Sequence, residues 1–162
     1  MKYDCGLIKE NNRFRYRTGG IIIQDNKMLF VKNNFGDYYY MIGGAVNLGE
    51  TSISCIEREI YEETGIQMCA ERLAVVCENF FKGIGGDIDG FDCHVLEFYY
   101  YMKFTNDDLN LCRSTTDEDE KLVWLPIEKI EQYEIKPTFI KELIHQIINE
   151  NKIFHIVEER DR

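Results

Sequence analysis

The chain has 162 residues, of which 44% are hydrophobic and 30% charged, with a formal net charge of −10. That length suits one domain with its own hydrophobic core, expected to occupy residues 1–162, and is short for two. The acidic balance argues against general affinity for nucleic acid, which needs a basic surface to displace counterions, and no apolar run approaches membrane-spanning length. The opening residues, MKYDCGLIKE, hold no continuous apolar segment and no small-residue cleavage site. No secretory leader is therefore expected, and the cytoplasm is the expected compartment. The six cysteines are scattered without a C-x-x-C pair, so reduced and mostly buried thiols are expected.

Along the chain, Arg13, Arg15 and Arg17 alternate with Phe14 and Tyr16. That is strand periodicity with the three arginines on one face, and arginine's planar fork suits phosphate. Gly19-Gly20 interrupts the run, and IIIQDNKMLFV then reads as a hairpin turning at Asp25-Asn26. Tyr38 to Ile42 predicts a short aromatic strand stopped by Gly43-Gly44. One of its tyrosines, such as Tyr40, has the face to stack on a nucleobase, although alternating core and surface tyrosines explain the run equally well. A helix is predicted from Thr51 or Ser52 to Thr64, with Gly65 as its stop. Leu73 to Phe81 and Cys93 to Phe104 predict paired strands, joined by a glycine-rich connection between Gly83 and Gly90 that reads as a mobile hairpin. Asn106 to Glu120 is polar and acidic, as in a surface loop. A last strand is predicted over Leu122 to Leu125. The final element is a helix beginning near Pro137, with Phe139, Ile140, Leu143, Ile144, Ile147 and Ile148 in one apolar stripe. Strands before and after the first helix imply a mixed sheet covered by helices.

Within that first helix, Arg58, Glu59, Glu62 and Glu63 spell R-E-x-x-E-E. Offsets of three and four make the glutamates neighbours on one face. Crowded carboxylates repel, and a hard divalent cation that takes several oxygen ligands accounts for them better than water does. Ile53, Ile56 and Ile60 mark the opposite face as the one that packs on a sheet. The Arg58 fork is placed to hold a glutamate in orientation. Each carboxylate raises its neighbour's pKa while a metal lowers it, so one of them can reach the range of a general base. A solvated acidic face is the plain alternative.

The stretch Gly44 to Ile66 resembles the Nudix box: Gly44, Glu50, Arg58, Glu59, Ile60, Glu62, Glu63, Gly65 and Ile66 fill every specified position. An aliphatic strand before the box and Trp124-Leu125-Pro126-Ile127 after it extend the likeness over most of the chain. The resemblance implies an α/β fold of the α/β/α sandwich type and a Mg²⁺- or Mn²⁺-dependent pyrophosphohydrolase acting on a nucleotide-type small molecule. It implies Glu62 and Glu63 as metal ligands, Glu59 as ligand or general base, and the Gly43 carbonyl in the metal shell. A further acid from outside the box often completes such sites. Glu118 stands where some members place it, with Glu120 and Glu97 as rivals; an ordinary solvated turn is an even alternative for the Asp117 to Glu120 run. Ile42 replaces a proline common in the family, which loosens a turn and removes no chemical group. Relatives acting on ADP-ribose often carry a proline about fifteen residues past the box, near Phe81 here, where there is none. A nucleoside triphosphate is favoured by elimination. A catalytically silent nucleotide-binding module on the same fold is the rival reading, and a homodimer is one assembly the resemblance allows.

Overall fold

A computed structural model describes residues 3–34, 36–105 and 120–160. Its strands are β1 (Gly6–Lys9), β2 (Asn12–Ile21), β3 (Ile23–Gln24), β4 (Lys27–Asn33), β5 (Tyr39–Tyr40), β6 (Gly43–Ala45), β7 (Met68–Lys82), β8 (Asp92–Phe104), β9 (Glu120–Pro126), β10 (Ile135–Lys136) and β11 (Phe154–Arg160). Its two α-helices are α1 (Ser52–Thr64) and α2 (Phe139–Asn149). The first sheet runs β1-β2-β8-β7-β11, with β6 also on β2; the second runs β10-β5-β4-β3, with β9 on the other side of β4. Both are mixed: β2 lies parallel to β8, β11 to β7 and β10 to β5, and the remaining pairs are antiparallel.

The helices cover opposite faces, as in an α/β/α sandwich. On β4, Met28 and Phe30 join a core under α2, while Leu29 and Val31 join another under α1. Strand β8 divides in the same way, Tyr99 to the α2 side and Tyr100 and Met102 to the α1 side. This is the period-2 alternation of strands buried on both faces. Ile56 and Ile60 of α1 and Ile140, Ile144 and Ile147 of α2 are fully buried, each contributing about 1.5–3 kcal/mol of apolar burial.

Several sequence expectations hold and others need correction. The hairpin turns at Asp25-Asn26, both with positive φ (48° and 59°), and Gln24 pairs with Lys27, as a two-residue type I′ turn requires. Tyr38 to Ile42 is not one strand. β5 belongs to the second sheet and β6 to the first, and Met41-Ile42 carries the chain between them, the Ile42 carbonyl accepting the Gly20 N–H at 2.8 Å. Ile53 does not share the packed face of α1; it is exposed, and Cys55 is buried with Ile56 and Ile60 instead. β7 begins at Met68, five residues before the predicted start, with register shifts between Ala70 and Arg72 and between Leu73 and Val75. Those irregularities break the alternation that would have marked its start.

The strand over Leu122 to Leu125 is not the last. β11 follows α2 and adds a parallel strand to the β7 edge. Its inward residues are Phe154, Ile156 and Glu158, so a carboxylate takes an inward position and the segment reads as a polar tail. Glu158 accepts the Phe139 N–H at 2.8 Å and the Thr138 hydroxyl at 2.9 Å, serving the open N-terminus of α2 from another strand.

Candidate active site

Local chemistry fixes α1 at both ends. Thr51 caps it by accepting the Ser54 N–H at 3.1 Å, and Gly65 closes it in the left-handed conformation with φ 71°. Between the caps, the buried isoleucines set the rotation of the helix and turn Glu59 and Glu63 toward β6 and the space beside it. The tightest approach is at Gly44: a Cβ there would overlap the Glu59 carboxyl group. Gly44→Ala is therefore expected to displace Glu59 while leaving the fold in place, because the atom in the way is the end of a side chain. Catalysis should fall by at least about tenfold with an unchanged melting temperature. Wild-type turnover in the folded variant would refute the placement.

Arg58 organises the acids around it. Its Nε and Nη2 donate to the two oxygens of Glu50 at 2.8 and 3.0 Å, and its Nη1 to Glu59 at 2.6 Å and Glu62 at 3.3 Å. Glu50 also accepts the Asn47 backbone N–H and side-chain amide, both at 3.0 Å. The Arg58 fork, helped by Asn47, holds the Glu50 carboxyl down to about 2. Glu50 is thus fully engaged in positioning Arg58.

Glu63 lies deeper. Its carboxyl is pushed up to about 8, first by burial and then by the charges of Glu59 and Glu120, against the pull of Arg17 and a backbone hydrogen bond at Gly43. Glu120 enters from β9, where it accepts the Tyr40 hydroxyl at 2.5 Å, and it is the outside acid that the structure brings to Glu63. Glu118 lies outside the described residues. Glu97 is directed elsewhere: it is 7% exposed, beside Arg17, and accepts the Asn79 amide at 3.3 Å.

Next to the box a cleft of about 510 Å³ opens between the sheets, lined among others by Arg17, Tyr40, Asn79, Glu97, Lys136 and Arg160. Of the three alternating arginines, Arg17 lines it and donates to the Gly43 carbonyl at 3.4 Å. Arg13 donates to the Asp87 carbonyl and Arg15 to the Asp4 carboxylate, each at 2.8 Å, outside the cleft lining. Asn79, Lys136 and Arg160 were not legible as site residues, since no motif marks them. Cys55, under the box, lies between Thr18 and the Ala45 carbonyl at 3.3 Å each, and burial pushes its thiol up to about 11, the state of an inert structural thiol.

The donor set suits a hard divalent cation. It is all oxygen, it is crowded enough to lift Glu63, and the glycine beside Glu59 leaves room. Among the described residues no three acidic, cysteine or histidine side chains converge on one point, since Glu59 and Glu62 both pair with Arg58.

Comparison with known proteins bears on the family and the fold. The family model described as NUDIX domain matches residues 13–147. A protein of Methanocaldococcus jannaschii named ADP-ribose pyrophosphatase is 37% identical over 76 residues, covering 40% of this chain and 45% of that one. A MutT-like protein of Streptomyces ambofaciens is 30% identical over 67 residues, covering 41% and 44%. The chain therefore spans less than half the length of these two relatives. Among solved structures, an ADP-ribose pyrophosphatase from Streptococcus suis superposes with a TM-score of 0.62 at 13% identity, over 89% of this chain and 98% of that one. The MutT protein from Methanosarcina mazei superposes with a TM-score of 0.61 at 18% identity, over 90% and 99%; at these identities the likeness is one of fold. With an intact box on its capped helix and a family match over most of its length, the chain belongs to the Nudix hydrolase family.

Proposed function

We propose that the protein is a divalent-metal-dependent pyrophosphohydrolase that cleaves the phosphoanhydride of a nucleoside diphosphate linked to a further group. The observation that carries this reading is the set of Glu59, Glu62 and Glu63 on α1: Arg58 holds the first two, Glu59 lies against Gly44 and Glu63 at Gly43, and Arg17 links the Gly43 carbonyl to the neighbouring cleft. Glu59, Glu62, Glu63 and the Gly43 carbonyl would hold Mg²⁺ or Mn²⁺, with Glu120 the nearest acid from outside the box. Such an ion supplies charge neutralisation at the phosphate oxygens and a more acidic attacking water. Glu59 or Glu63 would accept the proton of the attacking water. Arg58 keeps Glu59 and Glu62 oriented, and Arg17, between Glu63 and Glu97, faces the phosphates. Arg17, Lys82, Lys136 and Arg160 line the cleft of an otherwise acidic protein, which supports an anionic small molecule as ligand.

A nucleoside triphosphate is the first substrate class, by elimination. ADP-ribose is the second, favoured by the name of the Methanocaldococcus relative. The silent-module reading ranks behind both, because every box residue is present. The deciding experiment is release of phosphate and pyrophosphate from nucleoside triphosphates, ADP-ribose, nucleotide sugars and dinucleoside polyphosphates, with and without Mg²⁺. Metal-dependent turnover concentrated on one class is expected. Tight nucleotide binding without turnover on any of them would establish the silent module instead.

A further inference from the structure

Strand register gives the cleft an order along the first sheet. Arg17 on β2, which donates to the Gly43 carbonyl at 3.4 Å, stands opposite Glu97 on β8. Two residues farther from the box, Val95 on β8 pairs with Asn79 on β7, and two farther again Cys93 pairs with Phe81. Arg17, Glu97, Asn79, Val95 and Phe81 all line the cleft. At roughly 3.4 Å per residue, the Phe81 level lies about 13 Å along the strands from the Glu97 level. Beyond it the lining passes to Ile84 and Ile88, in the connection between β7 and β8. One end of the cleft is therefore polar and adjoins the box, while the other is aromatic and aliphatic. The cations beside that second end, Lys82 and Arg160, are engaged by Asp92 at 3.0 Å and by Glu158 at 3.6 Å.

Ile84 is 84% exposed although it lines the cleft, and Ile88 is only partly buried. Their segment is nonetheless held in a defined shape. Its neck is closed by the Gly83 N–H on the Phe91 carbonyl at 2.8 Å and by the Gly90 N–H on the Gly83 carbonyl at 3.1 Å. A Cβ at Gly83 would overlap the Ile88 carbonyl, so the neck admits no side chain there. Inside the loop the Gly85 N–H donates to the Asp89 carboxylate at 2.9 Å. The tie to the rest of the sheet comes from β2, where Arg13 Nη1 donates to the Asp87 carbonyl, between the two isoleucines, at 2.8 Å. Arg13 thus holds the loop and stays outside the cleft lining. An exposed aliphatic side chain fixed at the rim of a cleft gains burial only when a ligand lies against it.

We infer that Ile84 and Ile88 form an apolar rest for the nucleoside of the substrate, and that Arg13 is the positioning residue that holds this rest at the cleft. The order of the cleft sets the occupant: phosphates belong at the box and Arg17, which leaves the flat base for the far end. The inference rests on the proposed hydrolase reading and names the part of that substrate which the far end takes.

The test is calorimetric binding, with Mg²⁺ present, of the α,β-methylene analogues of ADP and GDP beside methylenediphosphonate. All three share a bridge that resists cleavage, so they differ only in the nucleoside and no hydrolysis enters the measurement. Wild type is expected to bind the tighter of the two nucleotide analogues at least about tenfold better than methylenediphosphonate. Ile84→Ser and Arg13→Gln should each narrow that ratio about three- to tenfold, with the affinity for methylenediphosphonate unchanged. Arg13→Lys, which keeps a donor for the Asp87 carbonyl, should restore most of it. Both sites lie at the surface, so the variants should fold as wild type does. No nucleoside preference in wild type, a ratio unchanged in either Ile84→Ser or Arg13→Gln, or an equal loss for all ligands would each overturn the inference. The expected ratios in a protein that hydrolyses no nucleotide would sustain the rest and refute the hydrolase reading; turnover with unchanged ratios would do the reverse.

Discussion

Glu62→Gln is expected to lower metal-dependent hydrolysis by on the order of a thousandfold or more, because under the proposed function a neutral amide would replace a charged ligand of the ion that would stabilise the transition state. The fold should be unaffected. Glu62 is 48% exposed and its contact with Arg58 is a 3.3 Å pair at the surface, a kind of interaction worth little to stability. Melting temperature should match wild type to within a degree or two. Titration with Mn²⁺, followed by paramagnetic relaxation of water, should show weakened metal binding in the same variant. A folded Glu62→Gln protein with full turnover would remove the box from the chemistry and with it the proposed function.

Arg58→Ala should have the largest effect on stability. Glu50 and Glu59 are only 16% and 18% exposed, and without Arg58 their carboxylates face each other with little solvent. Breaking a partly buried pair of this kind costs about 2–4 kcal/mol. The pH dependence follows from Glu50. Its folded-state carboxyl is depressed to about 2 from an ordinary value of 4.5, so its contribution is fully present above pH 4.5 and is lost as pH falls toward 2. Wild type should therefore lose stability across that window, and Arg58→Ala should lose much less there, since most of the depression goes with the guanidinium. Urea denaturation at pH 7, 4.5 and 3 measures both. A variant with the same acid sensitivity as wild type would show that Glu50 draws its depression from elsewhere. Activity should also fall, as Glu59 and Glu62 lose their common partner.

The box helix is legible in the sequence alone, and the reason is that its determinants are local. Thr51 and Gly65 are cap residues at the ends of one element, Ile56 and Ile60 mark its buried face, and offsets of three and four gather the glutamates. The Asp25-Asn26 turn and the α2 stripe were legible for the same reason, although Ile148, counted in that stripe, is more exposed than the rest. Less was visible where alternation is broken or carries a charge. The bulged start of β7 lost its period, and β11 hid behind Glu158.

What the sequence by itself determined is therefore the box helix, the arginine that pairs with its glutamates and the family to which the chain belongs, all written in residues within one short stretch. What only the tertiary structure decided is which distant residues share the cleft. Arg17 rather than Arg13 or Arg15 lines it, Glu120, which accepts the Tyr40 hydroxyl, lies near enough to raise Glu63, and Arg160 meets Asn79 from 81 positions away. Those meetings depend on strand registers, parallel for β2–β8 and β7–β11 and antiparallel for β9 and β5 on β4, which are set by the closing of both cores around the sheets. A shift of one residue in β11 would turn Arg160 to the opposite face, and no local pattern in the chain records that choice.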